Sequence, residues 1–247
     1  MTADNRVTHY AVAQARHSAL DSLDYFPTPP WATRALVEFL ASRSLWPLAD
    51  ASLWEPAAGG RHMSLIFAET FRVVAATDVH DYGGLDGIGS FVGVGPDVAS
   101  CPFAAGADWI ATNPPFKLAL EFFVRVFAEA THGVALLLRS AWMEGVERYE
   151  TIFSRHPPII LQFAERVPMV AGRWDPDATT ATPYAWFIWP KGPGWTMPAN
   201  GGSVHWVPPG ARKRLTHVDD VARFAGERAI DAVELFDGLN ISIRAPP

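Results

Sequence analysis

Asn113-Pro114-Pro115-Phe116 is the stretch whose residue types could carry chemistry. Each proline fixes its own φ, and a residue before proline is pushed into extended backbone, so the Asn113 amide is held rigidly at the end of whatever precedes it. Neither proline has an N–H, and the local backbone offers mainly carbonyl acceptors. That suits a planar group bearing an NH2, as in adenine, cytosine or a glutamine side chain. The lone pair of such a nitrogen is delocalised and poorly nucleophilic. If the Asn113 side-chain carbonyl and the Pro114 backbone carbonyl each accept one N–H, the nitrogen is drawn towards tetrahedral geometry and can face a methyl donor. Phe116 is then placed to stack on the flat face of the acceptor. An ordinary strand-ending turn uses the same Asn-Pro and Pro-Pro pairs.

Stepping outward, an apolar strand over 108–112 delivers the tetrapeptide, and a helix over 117–130 leaves it. Leu118, Phe122, Phe123, Val126 and Phe127 form one stripe of that helix, which reads as sheet-facing core. Upstream, a short strand at 53–55 ends in Pro56-Ala57-Ala58-Gly59-Gly60, small residues that let backbone pass close to a ligand and turn into a helix over 63–71. A second strand at 73–77 closes on Asp78, where an acid can accept hydrogen bonds from ribose hydroxyls. Before these lie an alanine-rich arm over 1–24 with a weak helix at 11–20, the extended segment 24–31, and a helix over 32–40. Between 81 and 106 the chain is glycine-rich, with Phe91, Val92 and Val94 the one strand fragment. Further on come strands at 134–138, 159–163 and 184–189, and a helix over 145–156. The strand at 184–189 reads as the last, ahead of a proline- and glycine-rich tail. Alternating strands and helices predict a doubly wound α/β sheet.

The segment 166–183 is too long for a hairpin loop and carries Arg166, Arg173 and Trp174, which makes it a candidate recognition loop. Arg212-Lys213-Arg214 is the one basic triplet, read as a surface turn that could contact phosphate. It precedes a capping box at 216–219 and a short helix over 219–224.

Composition limits the alternatives. With 20 Lys+Arg against 26 Asp+Glu the net charge is −6, which argues against a chain that coats nucleic acid through a general field and leaves room for a local basic face. A hydrophobic content of 49% is that of a soluble globular chain, and no apolar run is long enough to span a bilayer. The expected location is the cytoplasm. Cys101 has no cysteine partner, and the eight histidines lack metal-ligand spacing, so no metal is expected. His62 and His80 read as loop-packing residues. There is no Gly-x-Ser-x-Gly elbow and no Gly-Lys-Ser/Thr phosphate loop.

Taken together, the segments at 25–31, 53–60, 77–78 and 113–116 resemble, in order, the motifs of class I adenine-specific DNA methyltransferases, in phrasing similar to phage- and prophage-borne members. The resemblance spans about 25–215 and implies a Rossmann-like fold with a mostly parallel seven-stranded sheet and an antiparallel last strand. It implies S-adenosylmethionine as cofactor, with Thr28 and Pro29 near its methionine carboxylate, Glu55, Pro56, Ala57, Ala58, Gly59 and Gly60 as the glycine loop, and Asp78 on the ribose. It implies catalysis by Asn113, Pro114, Pro115 and Phe116, and DNA as acceptor, with the target base out of the duplex. The segments 165–168 and 181–186 are similar to the family's closing strands, and 216–247 stands as a C-terminal extension. Two positions depart from the pattern. Arg61 stands where the last glycine of the loop is expected, and Ser90 where many relatives carry an acid for the cofactor's adenine, a role Asp86 or Asp97 could take. The same tetrapeptide would serve an RNA amino group or a protein glutamine amide, and a non-catalytic binding protein with this fold is the third reading.

Overall fold

A computed structural model describes residues 24–43, 47–93, 99–192 and 202–225. The predicted arm over 1–24 and the tail beyond 225 lie almost wholly outside the described residues. Eight strands form one sheet: β1 (Ser52–Glu55), β2 (Val73–Asp78), β3 (Gly87–Ile88), β4 (Trp109–Thr112), β5 (Gly133–Arg139), β6 (Ile159–Phe163), β7 (Tyr184–Pro190) and β8 (Ser203–Val207). Their order is β3-β2-β1-β4-β5-β7-β6-β8, with β7 antiparallel to both neighbours and every other pair parallel.

The sheet is core on both faces because its strands are apolar on both. Leu53, Trp109, Ala111, Ala135 and Leu137 enter one cluster, and their chain neighbours Trp54, Ile110, Val134 and Leu136 enter the other. The first face is covered by α1 (Pro30–Ser42), which starts on a proline at its first position and buries Trp31, Ala32, Ala35 and Leu36, and by α2 (His62–Phe67). The second is covered by α3 (Ala119–Glu129), whose Phe122, Phe123 and Val126 are buried as the stripe predicts. Leu118 leaves that stripe and stands at the mouth of a cavity.

Five expectations are corrected. The sheet has eight strands: 203–207 lies in the stretch read as tail, yet pairs parallel with β6 at the sheet edge. The fragment around Phe91 is not a strand. Phe91 is buried against Trp54 and Phe122, and the short edge strand is Gly87–Ile88. The helix expected over 145–156 is broken into one α turn, α4 (Val146–Arg148), and a π turn over 149–153, with Ile152 its one buried anchor. The basic triplet is helical in α5 (Ala211–Leu215), seated by buried Ala211, and the expected capping box is replaced by an Asp220 carboxylate that accepts the His217 N–H ahead of α6 (Asp220–Phe224).

The sheet order reverses between β1 and β4, so their carboxyl ends diverge and leave a crevice. Glu55 ends β1, Asp78 ends β2 and Asn113 follows β4, which brings three candidate residues to that crevice from distant parts of the chain.

Candidate active site

One cavity of about 170 Å³ runs from Asn113 and Pro115 past Phe26 and Thr28 to Glu55, the loop 56–59 and Asp78, and reaches Ser90 and Phe91. At its Asn113 end, the side-chain nitrogen Nδ2 donates to the Phe26 carbonyl at 3.1 Å and to Thr28 Oγ1 at 3.2 Å, with Met169 Sδ at 3.7 Å. A backbone carbonyl can only accept, which fixes the amide's orientation. Its other atom, Oδ1, is buried and has no hydrogen-bond partner among the described residues. An unpaired buried carbonyl is costly, by about 1–3 kcal/mol, and an N–H of a bound group would satisfy it.

The glycine loop is shaped by a tyrosine. Gly59 has φ +49°, and a Cβ there would lie 2.4 Å from the Tyr25 ring; one on Gly60 would lie 2.5 Å from the Tyr25 hydroxyl. Gly59 is set by both its φ and the ring, while a side chain at Gly60 would have to displace the Tyr25 hydroxyl, and the ring approaches closely from the proline-rich segment. Arg61 takes φ 65°, the one non-glycine among the described residues in that region. The position expected to be glycine has the backbone that glycine favours, with an arginine in it. Asp78 holds the loop by accepting Gly59 N–H at 2.8 Å and His80 N–H at 3.1 Å.

Glu55 is 2% exposed, and Ser64 Oγ donates to it. Burial pushes its pKa up to about 8; the Ser64 hydroxyl and N–H pull against that shift, the Asp78 charge adds to it, and Arg61 opposes it. The His62 ring packs 5.6 Å from Phe224 and 6.5 Å from Tyr25. Its Nε2 lies 3.1 Å from the Phe224 carbonyl, and burial lowers its pKa.

Not every candidate converges here. Pro29 is buried beneath the segment and does not border the cavity, nor do Pro114, Gly60 or Phe116. Ser90 borders it with its hydroxyl directed to the Val92 carbonyl. Asp86 does not: its carboxylate accepts the Ala76 N–H at 2.8 Å along β2. Asp97 lies outside the described residues.

Phe116 faces another aromatic group, with Phe26 at 5.8 Å, Tyr184 at 6.1 Å and the Arg139 guanidinium 4.4 Å above its ring. The loop 166–183 touches the site through Met169 and through Gly172, whose N–H donates to the Tyr25 carbonyl at 2.9 Å. Trp174 is 3% exposed and packs with Ile66 and Phe224, and it also borders the open groove that Arg212 and Lys213 line. Arg173 pairs with Asp175 at 3.1 Å, and Arg166 is exposed. Arg212 donates to the Pro176 carbonyl and Arg214 pairs with Glu38 at 2.8 Å, while Lys213 is exposed. Arg212 and Lys213 border a separate open groove with Trp31 and Pro176. Arg139, Tyr82 and Met169 were not singled out in the sequence, because the strand edges and loop folding that bring them here leave no local pattern.

No protein-family model matches the chain, and no curated protein sequence matches it. Solved structures do. A candidate class I S-adenosylmethionine-dependent methyltransferase of Listeria monocytogenes aligns over 87% of this chain and 74% of its own, with a TM-score of 0.53 and 12% identity. The methyltransferase subunit of a type I restriction-modification system from Streptococcus thermophilus aligns over 94% of this chain, with a TM-score of 0.51 and 11% identity. The aligned part spans 61% of that subunit's own length. The fold of this chain is the Rossmann-like class I methyltransferase fold. Among the described residues no helix is long and apolar enough to cross a membrane.

Proposed function

We propose that this chain transfers a methyl group from S-adenosylmethionine to the exocyclic amino group of adenine in DNA. The observation that carries the proposal is the Asn113 amide, whose nitrogen is committed to Phe26 and Thr28 while its buried carbonyl has no partner. That arrangement is an acceptor set for an NH2 group. The cavity continues from it to the glycine loop and Asp78, so a nucleoside held at Asp78 would have a path to the acceptor nitrogen. The order of motifs along the chain and the restriction-modification subunit among the similar folds both support DNA as the acceptor.

When bound, the cofactor supplies a methyl group on an electron-poor sulfonium. Thr28, the loop 56–59 and Asp78 would hold it, with Ser90 and Phe91 at the far end of the cavity. Asn113 Oδ1 accepts one N–H of the target amine and the Pro114 carbonyl the other, which frees the lone pair without an ionised base. Pro115 stiffens the loop so that both carbonyls keep their places. Phe116 orients the base through its ring face.

Incubation with labelled cofactor and unmethylated DNA, RNA and protein in parallel, followed by mass analysis, tests the proposal. The expected product is N6-methyladenine in DNA. Label in RNA or on glutamine would transfer the same chemistry to that acceptor, and the absence of both label and calorimetric cofactor binding would favour a binding protein. Asn113→Ala should lower methyl transfer by about 100-fold or more, with the cofactor dissociation constant changed by less than about threefold.

A further inference from the structure

Arg139 is the last residue of β5, where it pairs in register with Tyr184 of β7. Because β5 lies beside β4, Arg139 stands on the same edge of the sheet as Asn113. Its guanidinium lies 4.4 Å over the Phe116 ring, and its polar partner is the Tyr184 side chain. Among the other arginines, Arg72, Arg148 and Arg212 donate to backbone carbonyls, while Arg34, Arg125, Arg173, Arg214 and Arg223 each meet a carboxylate. Arg139 is exposed and meets none among the described residues. In a chain of net charge −6, this places a cation without a carboxylate partner on the Phe116 ring, next to the candidate acceptor site.

The Phe116 ring has Phe26 and Tyr184 tilted against it at 41° and 35°, and the Arg139 guanidinium lies over it. A guanidinium is planar, weakly hydrated and stacks on an aromatic ring much as a nucleobase does. It is also the group best matched to phosphate.

We propose that Arg139 is a place-holder for the acceptor base: it covers Phe116 while no acceptor is bound, yields that face to the incoming base, and then pairs with a backbone phosphate beside the same nucleotide. The inference rests on the reading of Phe116 as the residue that stacks the target base. It narrows the acceptor to a phosphodiester strand. Lys117 in the turn after the catalytic loop and Arg166 after β6, both exposed at this edge, would continue the phosphate track.

The test saturates the cofactor cavity with S-adenosylhomocysteine and titrates two probes, adenosine and a short oligodeoxyadenylate, into the wild-type chain, Arg139→Ala and Arg139→Lys. Arg139→Ala should weaken the oligonucleotide about tenfold at low salt and reduce the slope of log affinity against log salt by about 0.7, the value for one phosphate contact on a single strand. Adenosine, which has no phosphate, should bind Arg139→Ala at least as well as wild type, since nothing must leave the ring. Arg139→Lys should restore the salt slope. Equal loss of both probes, or an unchanged slope, overturns the place-holder role. A wild-type chain that binds S-adenosylhomocysteine and neither probe overturns the reading of Phe116 itself, and the proposal with it. An unchanged S-adenosylhomocysteine affinity in Arg139→Ala shows that the fold is intact.

Discussion

Glu55 illustrates how a single buried group sets a property of the whole chain. It is held at the end of β1 with Ser64 donating to it, and burial raises its pKa to about 8 from an ordinary 4.5. The folded chain therefore binds this proton more tightly than the unfolded chain does. Its contribution to stability is complete below about pH 4.5 and is lost as pH rises through about 8. Glu55→Gln, which keeps the shape without the titration, should melt close to wild type at pH 5 and higher than wild type at pH 9, by on the order of 5 °C. Thermal denaturation at the two pH values checks this, and a constant difference between the proteins would remove Glu55 as the source. Asn113 makes the complementary point. Its identity and its extended backbone could be read from the prolines that follow it, but the partners of its nitrogen are 85 and 87 residues away and no local pattern contains them.

At the scale of elements, the strand, small-residue loop and acid between 53 and 78 were legible because each rests on local chemistry: apolar runs, glycine's freedom and a carboxylate after a strand. What occupies the loop was not. Tyr25 covers Gly59 and Gly60 from a segment that reads as an extended motif around Thr28, with nothing local to aim its ring at the glycines. Gly59→Ala would place a methyl group 2.4 Å from that ring at φ +49°, whereas Gly83→Ala, at φ +90°, meets nothing within 4 Å. The second should cost about 1–2 kcal/mol of backbone strain alone. The first should cost more and also weaken cofactor binding, as calorimetry and urea denaturation of the two variants would reveal. The missed edge strand β8 has a similar cause. Val204 and Trp206 are exposed and alternate with Ser203 and His205, a pattern too mixed in a Pro/Gly-rich context to read as a strand before its pairing with β6 is seen. Trp174 is ambiguous for another reason, since an aromatic in a long loop carries no sign of whether its ring will face solvent or the core.

Across the whole molecule, the C-terminal part of the described chain is tied to the first helix by an ion pair that no spacing foretells. Arg34 in α1 is 7% exposed and donates to both Asp220 oxygens at 2.7 and 2.8 Å, to Glu69 at 3.1 Å and to the Leu215 carbonyl at 2.9 Å. Asp220→Asn leaves a buried guanidinium with half its charge partners and should cost about 3 kcal/mol, read from the urea midpoint. Replacing both residues, Arg34→Met with Asp220→Leu, should cost less than the single change. Tyr25 makes a second tie, at the cavity. The proline-rich strap it belongs to forms one wall of the cavity and the β1 loop forms the other, with the strap held by Asn113 through Phe26 and Thr28 and by Gly172 through the Tyr25 carbonyl. Any small molecule that fills the gap clasps the strap to the sheet, so occupancy should appear as resistance to heat in proportion to its concentration. A melting curve taken across a panel of nucleosides can therefore report which of them the chain was built to hold, before any reaction is assayed.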